Sequence, residues 1–172
     1  EGVDYKAHMK EKCGSDAGKD RANTMRQALI DYGQAEGIPY QFDRITRRPN
    51  SFNAHRLVRW AQGQQKGSEA KEALFKAYFQ DGRDIGETDV LVDIAREIDL
   101  DPAIVAELMP TDADVENVRN EEALFQQMGI SGVPTYIANR QVAVQGAETA
   151  EKLANFLRDA AARLPEERPA QG

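Results

Sequence analysis

The segment from Met128 to Ala162 restricts the fold more than any other part of the chain. Gly129, Gly132 and Pro134 crowd a turn, and Thr135-Tyr136-Ile137-Ala138 then reads as a short buried strand. Asn139-Arg140 has the size of a two-residue hairpin loop, although arginine is not the usual partner for asparagine there. Gln141 to Gln145 alternates polar and apolar residues, which predicts a half-buried second strand ended by Gly146. Leu153, Phe156, Leu157, Ala160 and Leu164 follow at the offsets of one helical face. A hairpin with one helix behind it is marginal in water, and both of its edges are open to pairing. Further strands are therefore expected beside it, upstream of Glu1.

Composition narrows the class. The 172 residues are enough for one domain with a real core, and the 41% hydrophobic and 30% charged content is that of a globular protein. A net charge of −7 argues against nucleic acid as the main partner. The basic run from Arg44 to Arg48 reads as a solvated turn. No apolar run is long enough to cross a bilayer. With Cys13 as the sole cysteine, an internal disulfide and a C-x-x-C motif are both impossible within these residues. That usage suits a reducing compartment, and a cytoplasmic location is expected. No metal-ligand cluster stands out.

Before Met128 the pattern is helical. Asp4 is positioned to cap a short helix through Lys12, and Ser15 or Asp16 a longer one ending at Gly37. In that longer helix Ala22, Met25, Leu29 and Tyr32 share a face. Ile38 to Phe42 is extended, forced so at Ile38 by Pro39. Asn50 or Ser51 caps the next helix, where Ala54, Leu57, Val58 and Ala61 lie together and His55 and Trp60 flank them. Ser68 opens a helix apolar over much of its circumference, predicted to be buried between neighbours. Thr88 starts another, with Val90, Leu91, Ile94, Ala95 and Ile98 inward. Asp101-Pro102 is a strong helix start. A last long helix is expected from Thr111 or Asp112 through Met128, with Val115, Val118, Phe125 and Met128 inward. The division expected is a mainly helical part, 1–127, a β-hairpin and helix, 128–164, and a solvated tail, 165–172.

Several stretches together resemble the DsbA-type thiol–disulfide oxidoreductases, in particular their FrnE-like branch. They are GIPYQFD at Gly37–Asp43, PNSFNAHRLVRWA at Pro49–Ala61, LFKAYF at Leu74–Phe79, and GISGVPTYI with VQGAE towards the C-terminus. The resemblance implies an α/β, thioredoxin-like fold with a large all-helical insertion. It also places Pro134 where such proteins have their cis-proline, whose missing N–H leaves the preceding backbone open to an extended substrate or to glutathione.

Site residues follow from the resemblance. The redox C-x-x-C is expected upstream of Glu1, so no catalytic residue falls in this chain, and Cys13 reads as a small packing residue rather than a substitute. Val133 and Pro134 would face the redox cysteines. Asn50, Ser51 and His55 begin a helix expected to lie across the substrate groove, with helix capping the alternative reading for Asn50 and Ser51, and hydrogen-bonded packing for His55. The implied reaction is thiol–disulfide exchange on a protein or small-molecule thiol, with glutathione as the conceivable co-substrate and no other cofactor. Two other readings stay open: a kappa-class glutathione transferase or hydroxychromenecarboxylate isomerase, which uses serine in place of the first cysteine, and a non-catalytic binding or polyketide-pathway accessory protein. A homodimer is a further expectation, from the surplus apolar surface of the Ser68–Phe79 helix.

Overall fold

A computed structural model describes residues 2–163. The expected tail at 165–172, and Leu164, lie outside them. The elements run β1 (Val3–Asp4), α1 (Tyr5–Lys12), α2 (Asp16–Ala35), a 3-10 turn at Phe42–Arg44, β2 (Arg47–Arg48), α3 (Phe52–Gly63), α4 (Gly67–Phe79), α5 (Thr88–Glu97), α6 (Pro102–Leu108), α7 (Val115–Gln127), β3 (Thr135–Ala138), β4 (Val142–Gln145) and α8 (Ala150–Ala162). The chain divides after Val118 into two compact units.

In the first unit the core is small and tightly knit. Leu57, Ala61, Ala70, Leu74, Leu91, Ile94 and Ala95 are buried together with Ile98, Leu100, Val105 and Met109. The alanines let α3, α4 and α5 approach closely, while each fully buried Leu or Ile contributes about 1.5–3 kcal/mol of transfer free energy. Capping residues set the boundaries. Asp4, Ser15 and Asp101 accept backbone N–H groups at the starts of α1, α2 and α6. Helices α3 and α5 end with Gln65 and Asp99 at φ of 61° and 53°. Each of these N–H groups, and the next one, bonds back to the helix, so the last carbonyls stay satisfied.

Four expectations are corrected here. Of the expected helix face, Met25, Leu29 and Tyr32 are turned away from the core, and Ala22 is half-buried on the inward side. Arg26 is drawn inward by Asp43 and the Phe42 ring, and Gly33 lies so close to Ile38 and Tyr40 that only glycine fits. The inward side of α2 therefore runs through Arg26 and Gly33. Second, Arg47 and Arg48 form a strand rather than a solvated turn: Val3 pairs with Arg48 and Asp4 with Arg47, antiparallel. Arg47 is also tied to Asp84 and to the Gly2 carbonyl. Third, α4 buries one face, Gly67, Ala70, Leu74 and Ala77, while Phe75 stays 60% exposed. Fourth, α7 begins at Val115, and Phe125 and Met128 are exposed.

In the second unit β3 and β4 pair antiparallel, Thr135 with Gln145 through Ala138 with Val142. The strand β3 was expected to be buried, but in this two-stranded sheet Tyr136 and Ile137 are exposed and Ala138 alone of its four residues is buried. Asn139 and Arg140 sit at φ of 56° and 58°, the type I′ geometry whose twist suits a two-residue hairpin. Asn139 tolerates this conformation, and its Nδ2 donates to the Ala160 carbonyl at 2.7 Å, fastening the turn to the last turn of α8.

Candidate functional site

The loop from Gly129 to Pro134 is organised by hydrogen bonds on either side of one residue. Gly129, at φ of 75°, closes α7, with its N–H on the Gln126 carbonyl and that of Ile130 on the Phe125 carbonyl. The Gln145 amide donates to the Gly129 carbonyl at 3.2 Å, and Ser131 Oγ lies 3.5 Å from Gln145 Oε1. Thr135 Oγ1 donates to the Gly132 carbonyl at 2.7 Å, and the Pro134 carbonyl accepts the Gly146 N–H at 2.8 Å. Between these anchors the Val133–Pro134 peptide bond is cis. Val133 is 89% exposed, and no described residue hydrogen-bonds its N–H or C=O. The loop thus presents one unpaired stretch of backbone beside the start of β3.

Asn50, Ser51 and His55 belong to the first unit. Asn50 Oδ1 accepts the Phe52 N–H at 3.0 Å, so Asn50 supplies the turn into α3, while the Ser51 side chain makes no cap bond. His55 is exposed, and its ring has no hydrogen-bond partner among the described residues. The packing role that the sequence left open for it is therefore not what the structure shows. Cys13 is a free thiol, half-buried at the end of α1.

The polar centre of the first unit is a residue the sequence reading passed over. Arg56, 2% exposed, uses its whole guanidinium. Nε donates to the Ala113 carbonyl at 2.8 Å, Nη1 to Met109 O and Asn53 Oδ1, and Nη2 to Leu108 O and Thr111 O. Burial pushes its pKa below the ordinary arginine value, with Asp114 and Asp112 opposing. One helical turn on, Arg59 Nε and Trp60 Nε1 each bond a different oxygen of Asp114, at 2.8 and 2.9 Å. Asn117 donates to the same carboxylate, and these bonds, Asn117's foremost, hold its pKa below the usual range. Arg56 also lies over the Trp60 ring at 5.1 Å. The i, i+4 spacing of Arg56 and Trp60 was the available sequence signal.

No group of His, Cys, Asp and Glu side chains suited to a metal occurs among the described residues, and no helix among them is long and apolar enough to cross a membrane. A cleft of about 320 Å³ between the end of α3 and α6 is lined by Trp60, Gln64, Leu100, Ile104, Val105 and Leu108.

The DSBA-like thioredoxin domain model matches residues 5–158, and the chain belongs to that family. The fold of a probable DsbA oxidoreductase from Streptomyces coelicolor superposes with a TM-score of 0.86 at 24% identity, covering 98% of this chain and 71% of that one. The uncharacterized protein YwbO of Bacillus subtilis is 29% identical over 103 residues, which is 59% of this chain. The match spans about half, 51%, of YwbO. The α/β, thioredoxin-like architecture with its helical insertion is thereby established.

Proposed function

We propose that this chain forms the substrate-facing wall of a DsbA-type thiol–disulfide oxidoreductase of the FrnE-like branch. The observation that carries the reading is the backbone of Val133, exposed and unpaired next to Pro134 and the β3 edge. An extended polypeptide laid along that edge gains main-chain hydrogen bonds without needing a particular sequence, which suits an enzyme acting on many disulfides. These residues hold one cysteine, so the redox pair requires sulfur from outside residues 1–172. A thiolate of that pair attacks a substrate disulfide, a mixed disulfide forms, and the second thiol resolves it. The substrate leaves as a dithiol and the enzyme pair as a disulfide. Glutathione is the proposed small thiol that returns the pair to the reduced form.

The test compares two proteins on a model disulfide peptide. Residues 1–172 alone should show no turnover, whereas the longer protein carrying a C-x-x-C pair should turn over with Cys13→Ser in place. Turnover by residues 1–172 that Cys13→Ser abolishes would relocate the chemistry to Cys13 and overturn the proposal.

A further inference from the structure

Helix α2 is twenty residues long and buries only Gly33. Alongside its inward face, Met25, Leu29 and Tyr32 follow at offsets of four and three and so form one stripe along the axis. They are 59%, 48% and 75% exposed. Single exposed apolar side chains are ordinary on a protein surface, but an aligned run of large ones marks a contact face. On the outer flank of the stripe, at seven-residue spacing, stand Arg21, Ala28 and Ala35, whose two small side chains allow a second helix to come close.

Charge decides what that second helix is. The stripe has a basic end at Arg21 and an acidic end at Glu36, the C-cap of α2. Neither side chain has a hydrogen-bond or ion-pair partner among the described residues. An antiparallel copy of α2 sets Met25 against Tyr32 of the second copy and Ala28 beside its Leu29. The same register brings Arg21 to the second copy's Glu36, and twofold symmetry repeats the pair at the other end. A parallel copy would instead oppose like charges at both ends. We propose that the Met25–Leu29–Tyr32 stripe is a twofold interface between two copies of this chain, α2 packed antiparallel on α2.

Sedimentation equilibrium on the longer protein carrying Cys13→Ser should give twice its monomer mass, and on residues 1–172 twice 19.1 kDa. Leu29→Asp should return the monomer with an unchanged far-UV circular dichroism spectrum. Arg21→Glu and Glu36→Arg should each weaken association about fivefold, as two surface ion pairs are lost per dimer, and the double exchange should restore it. Ala28→Cys, near the twofold axis, should form a covalent dimer on mild oxidation. A monomer at every concentration, or a dimer indifferent to Leu29→Asp, overturns the proposal and leaves the stripe to another segment or partner. Failure of the double exchange to restore association overturns the antiparallel register.

Discussion

Arg56 donates through Nη1 to the carbonyl oxygen of Met109 at 2.9 Å, inside the core of the helical unit and out of reach of water. Met109 follows the last residue of α6, where carbonyls have lost their helical partners. The same guanidinium takes up Leu108, Thr111 and Ala113 as well, so one side chain bonds four carbonyls at and just after the end of α6.

Arg56→Met keeps volume but takes the guanidinium from the Met109, Thr111 and Ala113 carbonyls, while that of Leu108 keeps its bonds from Thr111. A buried polar group left without its partner costs about 1–3 kcal/mol. Urea denaturation should show the midpoint fall accordingly. Arg56→Lys should recover only part of the loss, because an ammonium has three donors where the guanidinium has five.

Asp114 gives the acid limb of stability a specific source. Its folded-state pKa is depressed by hydrogen bonds from Asn117, Arg59 and Trp60. The stabilisation is therefore complete above the unfolded-state value, about 3.9, and is lost as pH falls through the lower folded value. Thermal melts between pH 6 and pH 2 should show a decline that Asp114→Asn flattens. Asparagine retains the tolerance for the φ of 58° found there.

Arg140 occupies a left-handed position that glycine adopts at no steric cost. Arg140→Gly should stabilise the hairpin by about 0.5–1 kcal/mol, read as a higher melting temperature. Asn139→Ala should cost about 1–2 kcal/mol, since it removes both the preferred turn residue and the bond to the Ala160 carbonyl.

Under the proposed function, substitution of Val133 separates stability from recognition. Being almost fully exposed, Val133→Asp should leave the denaturation midpoint within about 0.5 kcal/mol of wild type. In the longer protein with its cysteine pair, the same change should lower kcat/KM for acidic peptide disulfides more than for basic ones. Equal effects on both would remove Val133 from the substrate path.

The hairpin was legible because its second strand alternates and the flanking glycines and proline punctuate both; the paired residues Thr135–Ala138 and Val142–Gln145 fall inside the expected spans. Helix starts at Asp4, Ser15 and Asp101 were legible because a capping side chain acts locally. What escaped was set by distant partners. Nothing near Arg47 and Arg48 announces that Val3 and Asp4 will pair with them. The rotation of α2 follows from Asp43 and Tyr40, which lie beyond the helix itself. At the candidate site, the exposed dipeptide Val133–Pro134 could be singled out, but the bonds from Gln145 and Gly146 that leave Val133 unpaired come from the neighbouring strand and the turn after it.

The five donors of Arg56 also bear on the order in which the chain can assemble. Their carbonyl acceptors stand more than fifty residues downstream. Until those residues arrive, packing α3 into the core would strip water from a cation with nothing to replace it, at a cost of several kcal/mol. Half-built versions of the helical unit are therefore poor resting places. A nascent chain that has emerged only as far as α5 must keep α3 wet, and the arrival of the turn after α6 is the event that lets the interior close.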